Sequence, residues 1–524
     1  MNPKRPTQSA SRRHFLRQSA ALSALVGGGA APLALNLAAM GNAAAQSAPA
    51  GEYRAVVCLF FYGGNDAFNT VLPVDRISWA AYTATRTQAP DPIALLPPGV
   101  PPNLAAAPGS PARLGGALRI NQINSRIGNY ALHPMLGSLQ TLFDTDRRLA
   151  ILPNIGPLIM PTTKAQYDQP LHPRPLRLFS HNDQQNTWQA LGPEGATLGW
   201  AGLMGDLLAA QNATPAFTAI SASGNAVWLA GNNVKQYQVN SNGAVPLGVN
   251  TSGQLFGSAE VGAALLRVAT TGYSAHPFDA DLAAVARSSI DAETVLRTAL
   301  RPASDPAFGT PPASGNYNAN NDPKLRYDNP LTGTSASNAL AQQFQIVARM
   351  IDAGLRGQTG TKRQVFFVSL GGFDTHDFQN PNQANLMARV AQAMKYFDDT
   401  LGNLGARNQV TTFTASDFGR TFTSNGDGTD HGWGAHHFVM GGAVRGASIY
   451  GRFPLLARKN ANNNNFDGSP DQLGNGSLLP GTSVDQLGAT LGRWLGLSDS
   501  SLLGIFPNLA NFNANVRNLG FLTA

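Results

Sequence analysis

The pattern that most constrains this chain lies between Val365 and His437, where two strand-like runs are each followed by a carboxylate and then by histidines. The first is Val365-Phe366-Phe367-Val368-Ser369-Leu370, followed by Gly371-Gly372-Phe373-Asp374-Thr375-His376. The second is Val410-Thr411-Thr412-Phe413-Thr414, followed by Ala415-Ser416-Asp417 and, after a Gly/Asn loop, by Asp430-His431 and His436-His437. Between them Leu386, Val390, Met394, Phe397, Leu401 and Leu404 recur at helical spacing. Strand, helix and strand in that order make a parallel crossover. Open parallel sheets bind ligands at the carboxyl ends of their strands, which is where Asp374, His376 and Asp417 fall.

The same grammar occurs earlier. Ala55–Tyr62 is a continuous apolar run that ends in Gly63-Gly64-Asn65-Asp66. Taken alone, Asp66 reads as an Asx-type turn cap; its repetition of the Asp374 pattern favours a ligand role. Carboxylate and imidazole donors converging on strand ends suit zinc, manganese or magnesium. The expected ligands are Asp66, Asp374, His376, Asp417, His431 and His436. That set exceeds what one tetrahedral ion needs, so two divalent ions are expected. Ser180, before His181, fits either a helix N-cap or an activated nucleophile.

The first 45 residues read as an export signal: Ser11-Arg12-Arg13-His14-Phe15-Leu16 is a twin-arginine pattern, then comes an apolar run from Ala20 to Met40, then Ala43-Ala44-Ala45. They imply the twin-arginine translocase as a partner and a periplasmic or secreted destination. They also carry five basic residues and no acid, so the chain beyond them has a net charge of +2 rather than +7, too little for a nucleic-acid footprint. No later run reaches the roughly 20 apolar residues of a membrane span. The single cysteine, Cys58, lies within an apolar run and reads as strand filler, so no internal disulfide is expected.

Residues 46–524 read as one large α/β domain with insertions at about 82–116 and 205–335; the first of these is expected to be a Pro-rich surface excursion. Helical patterns over Leu282–Leu300 and Leu340–Leu355, and a capping box at Ser483 and Gln486, continue the alternation.

These motifs together (the twin-arginine start, Phe60–Asp66, Ser180-His181, Gly371–His376, Ser416–Thr421, Asp430-His431-Gly432 and Thr482–Gln486) resemble the exported domain-of-unknown-function family 1501. That family is grouped with the alkaline phosphatase superfamily, which includes sulfatases. The resemblance implies a mostly parallel central sheet between helices and two metals at its strand ends. It further implies Asp66 as the first-strand ligand, Ser180 as nucleophile, and Asp374, His376, Asp417 and His431 or His436 completing the shell. Arg420 or Arg177 would neutralise charge. Phe418 stands where the superfamily has histidine, and no Cys/Ser-x-Pro-x-Arg sulfatase signature begins at Cys58 or Ser180. The implied function is an exported metal-dependent hydrolase of phosphate or sulfate esters; the alternative is a non-catalytic exported envelope or polymer-binding protein with the same fold.

Overall fold

The computed structural model describes residues 52–124, 129–241, 243–244, 248–250, 252–272 and 276–523. The expected signal over residues 1–45 lies outside them. The centre of the molecule is a mixed sheet built from β1 (Arg54–Tyr62), β2 (Leu149–Gly156), β3 (Ala219–Ser221), β4 (Arg363–Gly371), β5 (Val410–Ser416) and β6 (Ala435–Met440). Their order across the sheet is β2-β6-β5-β1-β4-β3, with short strands added at both edges. β1 pairs in parallel with both β4 and β5, and β4 pairs in parallel with β3. β6 runs antiparallel to β5 and β2, because only a hairpin, Arg420–Ser424 with Thr429–His431, separates it from β5. A parallel return would need a longer crossover.

Central position explains the apolar run of β1. Val57, Leu59 and Phe61 face one core, and Val56, Cys58 and Phe60 face the other, at the period of two a strand imposes. The first core is roofed by α2 (Ala339–Leu355) and α3 (Gln379–Asn403), through Phe344, Met350, Met387 and Met394. The second is roofed by Trp200–Leu208 and α4 (Val484–Trp494). Ser483 and Gln486 form the capping box that starts α4. The result is a helix–sheet–helix sandwich with a mostly parallel sheet.

Two expectations about insertions are corrected. The stretch 82–116 is not simply a surface excursion: it begins inside a helix, Arg76–Arg86, and Tyr82, Arg86 and Ile93 are fully buried. Nor does 205–335 lie wholly outside the sheet, since β3 falls within it and pairs with β4. The region does supply a long helix, Pro277–Ala299, and a hairpin, Arg326–Asn329 with Thr334–Ser337. Among the described residues no helix is long and apolar enough to cross a membrane.

Register places the future site. Phe61 lies opposite Leu370 on β4 and opposite Ser416 on β5, so three adjacent parallel strands end level with one another. Gly63-Gly64, Asp374 and Asp417 therefore emerge side by side.

Candidate metal centre

The glycines after β1 are needed for close approach. A Cβ on Gly63 would lie 2.3 Å from the Asp374 backbone nitrogen, and one on Gly64 would lie 2.4 Å from the Phe418 ring. Both have positive φ, 115° and 83°, which suits glycine. The turn they make lets Gly63 N donate to Asp417 Oδ2 at 3.1 Å, and Asn65 N to Ser416 Oγ at 2.9 Å.

Around this turn His181, Asp374 and His431 converge, each offering a ligand atom within 4.8 Å of the others'. His181 opens α1 (His181–Ala190), a helix not adjacent in sequence to any strand end. Its Nδ1 is 2.7 Å from Asp417 Oδ2, a carboxylate that can only accept, so Nδ1 carries the proton and Nε2 presents a lone pair. That Nε2 is buried without a hydrogen-bond partner and lies 3.4 Å from Asp374 Oδ2. His431 is set in a similar way: its Nδ1 lies 2.7 Å from the Phe179 carbonyl, turning Nε2 to within 3.4 Å of Asp374 Oδ1. His376 flanks the group, with Nε2 3.0 Å from His431 Nε2 and 3.1 Å from Asp374 Oδ1, and Nδ1 3.2 Å from Asp430.

These separations fit a divalent ion. A tetrahedral zinc with ligands at about 2.0–2.1 Å has ligand-to-ligand edges of about 3.3 Å. His181 Nε2 lies 3.4 Å from Asp374 Oδ2, and His431 and His376 Nε2 lie 3.4 and 3.1 Å from Oδ1, so edges of that length are shared between the two carboxylate oxygens. Electrostatics agree. Burial alone would raise the Asp374 pKa, but the Arg420 hydrogen bond and surrounding cations hold the carboxyl below its ordinary value, ready as an anion. The Asp417 hydrogen bond pushes His181 up, while burial pulls His431 down.

Arg420, expected to neutralise charge on a substrate, is occupied otherwise. Its side chain is 0% exposed; Nη1 donates to Asp374 Oδ1 at 2.6 Å and to Gly63 O at 3.2 Å, and Nη2 donates to Thr429 O. It aims Asp374. Asp417, expected as a ligand, turns Oδ2 to His181, Gly63 N and Gln185 Nε2, and so orients a ligand from behind.

Asp66 and His436, also expected as ligands, are not brought into the group. Both Asp66 oxygens accept from Arg86, at 2.5 and 3.1 Å; Oδ2 also accepts from Gln379 Nε2 and Oδ1 from Phe68 N, capping the turn Ala67–Asn69. The cap reading wins because Arg86, hidden in the Pro-rich stretch, completes it. His436 is buried within β6, its Nδ1 accepting from Asn154 N, and burial lowers its pKa to about 3. His437 and His133 are likewise buried and lowered to about 3, and His133 caps a helical turn through Met135 N.

Ser180 sits at the N-cap position of α1 but makes no capping bond; its hydroxyl donates to Asp183 Oδ2 at 2.8 Å. Two of the three residues before it carry strain: Arg177 and Phe179 have φ of 48° and 72°, left-handed values unusual for non-glycine residues. This turn presents the Phe179 carbonyl to His431. Sequence reasoning missed His181 as a ligand and Phe418 as its neighbour. The available signal was a histidine at the first position of a helix directly after Ser180.

Residues 328–503, about a third of the chain, match the family model described as "Protein of unknown function (DUF1501)". The segment holds Asp374, His376, Asp417, Arg420 and His431, so the resemblance seen in those motifs holds for this part of the chain. No curated protein matches the chain. One solved structure, from work on the metabolism of multiple glycosaminoglycans by Bacteroides thetaiotaomicron and labelled BT33494S-sulf, is similar at 10% identity over 86% of this chain and 74% of that one. Its TM-score of 0.31 carries no argument about fold or activity.

Proposed function

We propose that the protein is a divalent-metal-dependent hydrolase of anionic esters, phosphate or sulfate, with an alkaline-phosphatase-like arrangement of site and sheet. One observation carries this reading: the cluster is open to solvent on its Asp374 and His376 side. The Asp374 and His376 side chains are 43% and 40% exposed, while the groups orienting the cluster, Asp417 and Arg420, are fully buried. A structural metal site is closed by protein ligands, whereas a catalytic one keeps a position for water or substrate. The non-catalytic envelope-binding alternative gives no reason for that opening.

His181, Asp374 and His431 would hold the ion, with His376 at its edge. Bound there, a divalent cation supplies Lewis acidity toward an ester oxygen and makes water a stronger acid. The chain's own residues do the rest. Asp417 and the Phe179 carbonyl engage the two Nδ1 atoms and turn both imidazole Nε2 atoms toward the site. Arg420 fixes the carboxylate. Arg177, 70% exposed, places a cation near Ser180 where an anionic substrate would arrive. Ser180, adjacent to a ligand and hydrogen-bonded to Asp183, is the proposed nucleophile. The twin-arginine pattern adds that the enzyme works outside the cytoplasm.

The test is elemental analysis of protein purified without chelator, together with turnover of p-nitrophenyl phosphate and p-nitrophenyl sulfate by the wild type and by His181→Ala. Bound zinc or manganese with turnover, both lost in the variant, is expected. A folded wild type with neither metal nor turnover after zinc or manganese addition ends the reading.

A further inference from the structure

We infer that Phe418 is the positioning residue of this site: its ring, wedged against both imidazoles, sets the spacing of His181 and His431 and shapes the pair for a single divalent ion. The inference rests on the metal reading above and goes beyond it by assigning the geometry of the ligands to a side chain that ligates nothing.

The three rings form a closed triangle. Phe418 lies 4.8 Å from His181 and 4.7 Å from His431, centroid to centroid, and the two imidazoles stand edge-to-face at 4.3 Å. His181 is hydrogen-bonded at one nitrogen only, by Asp417, which leaves its ring free to swing about that tether; His431 is held at Nδ1 by the Phe179 carbonyl and at Nε2 by His376. Contact with a third, fully buried ring removes that freedom.

Phe418 is itself held. Gly64 leaves the space its ring occupies, since even a methyl there would sit 2.4 Å from two ring carbons, and a Cβ on the next residue, Gly419, would meet the Gly434 carbonyl at 2.0 Å. The same four-residue segment, Asp417–Arg420, supplies Asp417 to His181 and Arg420 to Asp374. One short stretch of backbone after β5 thus orients all three members of the cluster.

The count of ions follows from the same contacts. Against the imidazole faces the Phe418 ring offers no donor atom. The strand-end carboxylate of Asp66 is taken up at both oxygens by Arg86.

The experiment uses the chain beyond its signal, with zinc counted by elemental analysis, zinc affinity measured by chelator competition, and the visible spectrum of the cobalt-substituted protein reporting ligand geometry. The wild type should bind one ion. Phe418→Leu keeps apolar bulk but loses the flat ring, and should bind zinc about 10-fold more weakly with an altered cobalt spectrum. Phe418→Met serves the same purpose if Leu does not fold. Phe68→Leu, at another buried ring outside the cluster, should lower the thermal midpoint without moving affinity or spectrum. Two ions in the wild type, or a folded Phe418 variant with unchanged affinity and spectrum, overturns the inference while leaving the metal reading intact. No ion in the wild type overturns both.

Discussion

Asp66 and Asp374 are reached by the same grammar, an apolar strand, two glycines and a carboxylate, and they end in opposite states. Asp66 is 1% exposed, with both oxygens bound by Arg86; Asp374 is 43% exposed, with one oxygen bound by Arg420 and the other turned to the open cluster. What separates them is how the partnering arginine engages. A two-oxygen grip completes a carboxylate and makes it structural, whereas a one-oxygen grip aims it and leaves a lone pair for something else. A third aspartate, Asp485 on α4, has no arginine at all: its polar partners are the neutral Ser483 hydroxyl and the Asn508 side chain, and burial raises its pKa to about 7.

The comparison can be broken in four ways, from the largest expected effect down. Arg86→Ala strands the buried Asp66 and should cost about 3–5 kcal/mol in denaturant unfolding, while metal content per folded molecule stays at the wild-type level. If that variant loses metal as well, Asp66 is not merely structural.

Asp485 tests the arginine-free case. Its folded-state pKa, about 7, lies above the unfolded value of 3.8, so the folded chain holds that proton more tightly. Its stabilising contribution is therefore complete below about pH 4 and is lost as pH rises to 7, on the order of 4 kcal/mol at most. Asp485→Asn should unfold at higher denaturant than the wild type at pH 8, with the gap closing by pH 4. A gap independent of pH would mean the carboxyl is ionised throughout.

Asp374→Asn keeps the Arg420 contact but removes the anion, and should weaken zinc binding by about 100-fold or more in chelator competition, with little change in the unfolding midpoint. An unchanged affinity would take Asp374 out of the site. Last, Asp417→Asn should weaken zinc about 10-fold by releasing the His181 tautomer. A complete loss instead would make Asp417 a ligand rather than an orienting group.

The same contrast shows what could be read from the chain. Strand ends are legible because β1, β4 and β5 are central and buried on both faces: β1 and β4 are therefore written as apolar runs, and β5 as a β-branched run of Val, Thr and Phe. Asp374 and His376 are legible because they follow the end of β4 directly, and His431 because it lies in the hairpin that follows β5. The division between ligand and cap was not, because it depends on pairings between distant residues: Arg86 comes from a stretch whose prolines and glycines dominate its pattern, and His181 reaches Asp417 across 236 positions. His436 misled for a related reason. A histidine in a short, mixed run looks available until the antiparallel pairing of β6 with β2 buries it.

The central place of β1 has a consequence for how the molecule is made. Among the described residues β1 is the first strand, and it pairs with Arg363–Gly371 and Val410–Ser416, more than 300 residues downstream. At about 5–20 residues per second, synthesis of that interval takes roughly 15–60 s. During that time Val56–Phe61 lacks both of its partner strands, so an apolar strand of the growing chain waits with its edges unpaired. The two cores, and the cluster at their common edge, can close only near the end of translation, and any ion must be captured after that.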